Sequence, residues 1–340
     1  MTSHFAIEAA LGLGPVLLFL AALLYMDSFK LVGFGTVIGV LLMGGFAAIA
    51  AYFASAPVMD ALHVDFPYYS RFVAPVVEET AKASVMIYLF ARNRIGFMVD
   101  AAILGVAVGA GFSLFENVYY AYVFPDANIG VWMVRGLGTA IMHGGVMAVF
   151  GVTAQGLSER HATFNPLNYV PGLVFAIAIH SIFNQFTNWP LQSTAAVIVA
   201  LPMAILFVFD KSEHQVHDWL VHDYESHEHL LDDIRSGKFA KSEAGRFISD
   251  LAAKLSKSAL ADIFAYIRLH TELVMRAEQL LLSREQGTSV SPARPVSDDF
   301  KRLHALKRKI GRTTMLTIWP HLKFGHQELW ELHQLEARKL

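Results

Sequence analysis

From Ala9 to Phe209 the apolar residues run in blocks of about twenty with few polar interruptions, whereas beyond Asp210 they recur every three or four positions between charged residues. The first pattern is hydrophobic all round and predicts helices immersed in lipid. The second predicts amphipathic helices in water. Seven spans of bilayer length are expected: Ala9–Met26, Leu31–Ala54, Phe72–Ala91, Val99–Val123, Val131–Gln155, Tyr169–Phe186 and Leu191–Phe209. The first lacks a basic leader, and only Asp27 to Lys30 separate it from the second, so it is expected to stay rather than be cleaved. The fold class is therefore all-α: a polytopic helical membrane bundle over residues 1–209, followed by a helical soluble region over 210–340.

In that tail Phe247, Leu251 and Leu255 lie four apart, and Leu260, Phe264, Ile267 and Val274 continue an apolar face. The segment "TSVSPARPVSDD" breaks the pattern. The terminal stretch "FKRLHALKRKIGR" has a basic face that could rest on an anionic leaflet, although a solvated helix face explains it more simply. No solenoid-type repeat is present.

Composition sharpens this division. The chain is 54% hydrophobic with a mean hydropathy of +0.43, too apolar for an ordinary soluble protein of 340 residues. Residues 1–209 hold 7 of 27 Lys and Arg and 10 of 29 Asp and Glu, which leaves 20 and 19 for the tail. A net charge of -2 gives no argument for a nucleic-acid partner. The absence of cysteine excludes disulfides, thiolate nucleophiles and Cys-based metal sites, so any metal would rest on His and carboxylates. Lys30, Arg92, Arg94, Arg160 and the charged tail fall on one side of the bundle and Asp60, Asp65 and Asp126 on the other, with Arg71 and Arg135 dissenting. The positive-inside rule then expects a multi-pass protein of the cell (inner) membrane, N-terminus outside and C-terminus cytoplasmic.

Within the third span, "APVVEETAKASVMIYLF" carries Glu78, Glu79 and Lys82. A charge at the bilayer centre costs at least ~2.5–3.5 kcal/mol on insertion scales unless it is compensated. Lys82 lies three and four residues from the two glutamates, so on a helix it can reach either. The glutamates point about 100° apart, so one can face a cavity while the other is held by partners. The fourth span adds Glu116 in "GFSLFENVYY", on a face shared with Phe112; the fifth adds His143 in "TAIMHGGVMA"; the sixth adds His180 and Asn184 in "AIAIHSIFNQF". Counted along alternating helices at about 1.5 Å per residue, all fall between the outer boundary and the middle of the membrane. A lone buried His or Asn usually serves helix packing, and the Glu78, Glu79, Lys82 cluster alone could be an ion-pair clasp. Together, four consecutive spans point to one cavity.

"EETAK" at Glu78–Lys82, "FSLFE" at Phe112–Glu116 and His180 with Asn184 resemble, in order, the E-E-x-x-K, F-x-x-x-E and histidine motifs of the PrsW family of intramembrane proteases, relatives of the CAAX prenyl endopeptidases. The resemblance covers about residues 70–190 and implies hydrolysis of a peptide bond of a membrane-protein substrate in the bilayer. Family members are associated with single-span anti-sigma-type proteins.

Amide hydrolysis needs an activated water, a stabilised oxyanion and a proton for the leaving amine. In one arrangement Glu78 is the base, tuned by Glu79 and Lys82 and assisted by Glu116, while His180 and Asn184 donate to the oxyanion and no cofactor is needed. In the other, Glu116, His143 and His180 hold Zn2+ and Glu78 or Glu79 is the base. The short H-E-x-x-H spacing of zincins is absent. The first arrangement gives Asn184 and the glutamate pair a role. A proton- or ion-coupled transporter using the Glu, Lys and His relay is the rival class, but no inverted repeat supports it. A retinal photoreceptor is disfavoured because the last span has no lysine. In the tail, His214, His217, His222, His227 and His229 sit among acids. A metal at His214 and His217 is conceivable, and a pH-sensitive surface helix is the simpler reading.

Overall fold

A computed structural model describes residues 2–158, 165–186, 188–252, 257–288, 296–322 and 326–337. Arg160, Leu255 and residues 289–295 of the Pro/Ser segment lie outside these. Among the described residues all regular structure is helical, and the chain divides into two compact units, Met1–Glu213 and His214–Leu340.

The first unit is built from α1 (Thr2–Met26), α2 (Phe34–Leu62), α3 (Phe66–Tyr68), α4 (Ala74–Ala91), α5 (Met98–Val123), α6 (Ile129–Met133), α7 (Ala140–Ser158), α8 (Val170–Gln185) and the beginning of α9 (Pro190–Arg235). Each expected span falls on this series. Five stretches, Phe34–Leu62, Met98–Val123, Ile129–Ser158, Pro166–Gln185 and Pro190–Arg235, are long and apolar enough to cross a membrane. The apolar part of α1, Ala10–Met26, is shorter, and α4 has 18 residues that include Glu78, Glu79 and Lys82. Large apolar side chains such as Leu18, Phe46, Phe53, Ile182 and Phe207 point outward, an arrangement suited to lipid and not to water. The protein is a helical membrane bundle.

α5 forms its centre. Val99 to Ser113 are all buried, as a helix apolar on every face requires. α7 approaches α5 closely because Gly109 has no side chain: a Cβ there would strike the carbonyl of His143. Small residues at such crossings are how membrane helices gain contact, and this one sets the position of His143.

Two π-helical turns interrupt the helices that carry the site, at Tyr69–Val73 before α4 and at Val134–Thr139 before α7. In the first, the Ala74 N–H bonds Tyr69 O, five residues back. Pro75 follows and has no N–H, so the Ser70 carbonyl loses its helical donor. The Asn184 side-chain amide supplies it from α8, Nδ2 to O 2.9 Å. The sequence thus creates a backbone vacancy on one helix and a donor on another, and the pair fastens α8 to the start of α4.

The second unit combines the end of α9 with α10 (Glu243–Ala252), α11 (Lys257–Glu285), α12 (Ser297–Ile310), α13 (Arg312–Ile318) and α14 (His326–Ala337). α9 runs far past the expected span end at Phe209 because helix-forming polar residues continue it, and Val216, Leu220, His227 and Leu231 keep an inward face. Ile267 and Val274 of the expected apolar face are fully buried; Phe247, Leu251, Leu260 and Phe264 pack around them. On α12, Phe300, Leu303 and Ile310 are buried, whereas Lys301, His304, Lys307 and Arg308 are exposed.

Candidate active site

Lys82 occupies the middle of the cluster and is fully buried. Its Nζ lies 2.5 Å from Glu79 Oε1, one turn back on α4, and 2.7 Å from His143 Nδ1 on α7. The face of Phe112 on α5 covers it at 4.4 Å. Glu79, also fully buried, accepts a second hydrogen bond at Oε1 from His180 Nδ1 on α8 at 2.6 Å. The Glu79–Lys82 pair is therefore neutralised in place and ties three helices together. The other oxygen, Glu79 Oε2, is buried with no hydrogen-bond partner among the described residues.

These contacts fix the histidine tautomers. A protonated lysine only donates, so His143 Nδ1 accepts and its Nε2–H points to Glu116 Oε2, 3.2 Å away. His180 donates from Nδ1 to Glu79, which leaves the Nε2 lone pair facing Glu78 Oε2 at 3.9 Å. Glu78 and Glu116 are the open carboxylates, with side chains 20% and 23% exposed against 0% for Glu79. Of the two adjacent glutamates, Glu79 is the buried anchor and Glu78 is the partly exposed one.

Sequence reasoning missed Arg135 and Asn117. Arg135 Nη2 stands 3.3 Å from Glu116 Oε1, its Nε donates to Asn117 Oδ1 at 2.8 Å, and its guanidinium lies 3.5 Å over the Tyr120 ring. Asn117 Nδ2 in turn donates to Gly12 O of α1 at 2.7 Å. The signal was present: Arg135 broke the loop-charge pattern on the presumed outer side. Its charge belongs to Glu116 instead of the membrane surface. Tyr120 and Arg135 also line a cavity of about 540 Å3, with Phe124, Asp126 and Trp132 among the other walls.

The structure brings Glu78, Glu79, Lys82, Glu116, His143 and His180 into one connected cluster. Asn184 stands apart from these contacts, its amide engaged with Ser70. Ligand-capable atoms of Glu78, His143 and His180 lie within 4.8 Å of one another. Two imidazoles and a carboxylate make a donor set suited to a catalytic zinc-type ion. Glu79, holding His180 through Nδ1–H, is the outer carboxylate that such ligands commonly carry.

A helical membrane bundle with a carboxylate and imidazole centre enclosed by four of its helices defines a membrane-embedded hydrolase of the intramembrane type. The profile of the PrsW family of intramembrane metalloproteases matches residues 28–209, and the chain belongs to that family. Comparisons with curated proteins and with solved structures returned no match. The protein is an intramembrane peptidase.

Proposed function

We propose that the protein cleaves a single-span membrane protein with Glu78, His143 and His180 as ligands of a divalent metal, Zn2+ by donor type, and Glu116 as the general base. The observation that carries this reading is the convergence of Glu78, His143 and His180 within 4.8 Å, with Glu116 Oε2 3.2 Å from His143. When bound, the metal lowers the pKa of water and polarises the scissile carbonyl.

The chain's own groups do the rest. Glu116 takes a proton from the attacking water and returns it to the leaving amine. Arg135 holds Glu116 at Oε1, so that Oε2 is presented to the cluster. His143 would enter the metal's shell through Nε2, which gives up the proton it now directs at Glu116, and Nδ1 then takes a proton from the Lys82 ammonium facing it, so that Lys82 still orients the ring; Glu79 fixes the ring of His180. The 540 Å3 cavity is lined by Arg135, the ion-pair partner of Glu116. With the Asn184 amide committed to Ser70, the oxyanion donor among the chain's own groups is Arg135. Residues 1–209 act as the protease domain. The tail, 210–340, is cytoplasmic if the loop charges set the orientation, and the cavity then opens to the extracytoplasmic half of the membrane.

Reconstituted protein and a single-span substrate provide the test. Glu116→Gln is expected to lower the cleavage rate by about 10²–10⁴-fold, the range of a lost acid–base group, while the variant still folds and binds metal. A Glu116→Gln variant as fast as the wild type would remove Glu116 from this role.

A further inference from the structure

Charged side chains are seldom buried without partners, yet the second unit encloses a group of carboxylates in its interior. Glu278 on α11 and Glu331 on α14 are fully buried, and Glu328 and His227 are each 6% exposed. His227 Nδ1 lies 2.9 Å from Glu278 Oε1 and 3.7 Å from Asp223 Oδ2, one turn back on α9; its Nε2 lies 3.9 Å from Glu328 Oε1. Ligand-capable atoms of Asp223, His227 and Glu278 fall within 4.8 Å of one another. Glu331, three residues after Glu328 on the same helix, lies beside Glu278, Asp223 and Glu328, yet among the described residues neither of its oxygens has a hydrogen-bond partner.

One imidazolium balances one of these carboxylates. Among the described residues no lysine or arginine pairs with Asp223, Glu278 or Glu331. An ion-pair clasp would not need the surplus acids, because each one left unpaired costs stability. A divalent cation on the Nδ1 side of His227 would use Asp223, Glu278 and Glu331.

We propose that Asp223 and His227 of α9 and Glu278 of α11, with the buried Glu331 of α14 beside them, form a binding site for a divalent first-row transition cation, separate from the membrane cluster, while Glu328 holds the far side of the His227 ring at Nε2 and faces His270. One imidazole among carboxylates suits Mn2+, Fe2+ or Zn2+; Ca2+ and Mg2+ prefer all-oxygen shells, and no thiolate is present for Cu(I). Asp223, with a side chain 27% exposed, is the access route from water. The bound ion staples three helices of the second unit, which links the stability of that unit to cation supply.

Full-length protein in detergent, stripped of metal, equilibrated with Mn2+ or Zn2+ and desalted, tests this by elemental analysis and thermal unfolding. Wild type is expected to retain at least one equivalent of metal more than Glu278→Gln and Glu331→Gln. Binding in these variants should weaken by about 100-fold or more, beyond the 10–100-fold typical for losing an outer partner. Metal-free Glu331→Gln is expected to unfold at the same or a higher temperature than wild type, since it loses only repulsion, and to show no metal-induced rise at the tail transition. This second variant keeps the test informative if Glu278→Gln folds poorly. Metal content and metal-induced thermal shift in Glu331→Gln equal to wild type would overturn the site, as would a metal-free Glu331→Gln that unfolds earlier while wild type gains nothing from the ions.

Discussion

Lys82 is the residue on which the membrane cluster depends, because one ammonium faces both the Glu79 carboxylate and the His143 ring in a fully buried position. Replacing it with methionine leaves Glu79 as an unneutralised charge inside the bundle. Removing one partner of a buried pair typically costs about 3–5 kcal/mol, so Lys82→Met is expected to lower the thermal midpoint in detergent as well as activity, whereas Glu116→Gln lowers activity alone. A Lys82→Met protein as stable as wild type would show that the pair is not structural. The glutamate pair and Lys82 were legible in the sequence because helical spacing alone brings i, i+3 and i+4 together. Arg135 and Asn117 were not, since their partners, Glu116 and Gly12, lie on other helices. His227 likewise read as a surface histidine until its neighbours from α11 and α14 were placed around it.

Among the helices, the π-helical turns are what the hydropathy pattern could not display. The expected span Phe72–Ala91 begins inside one and Val131–Gln155 is broken by the other, and such turns are common near functional sites. A π turn preserves the apolar content of a window while it rotates the residues that follow, so a window average does not detect it. Span ends were missed for a related reason. Hydropathy ends α2 near Ala54 and the last span at Phe209, but helix-forming residues carry the helices on to Leu62 and Arg235. The Ser70 contact gives Asn184 a structural place, whereas the sequence led to an oxyanion role, and Asn184→Ala separates the two. That change strands a carbonyl and should cost about 1–2 kcal/mol. It should also reduce cleavage through misplacement of α4 and leave the pH profile unshifted. A shifted pH profile would instead mean that Asn184 acts at the reacting atoms.

For the whole molecule, the division into a lipid-facing bundle and a charged helical unit was readable from charge segregation alone. The group Glu78, His143 and His180 was legible only in part: both histidines stood in the expected Zn2+ set with Glu116, whereas Glu78 joins them only when separate helices pack, with no short spacing to announce it. If the loop charges set the orientation, mass spectrometry should find the substrate cut near its outer juxtamembrane boundary; a cut in the cytosolic half would refute that orientation. The most direct test of the central claim is the cleavage rate of a single-span substrate in proteoliposomes after metal is stripped by a chelator and then restored as Zn2+. The account predicts that cleavage falls to background on stripping, returns with Zn2+ in wild type, and does not return in His180→Asn. Undiminished cleavage by protein shown to be metal-free would contradict it.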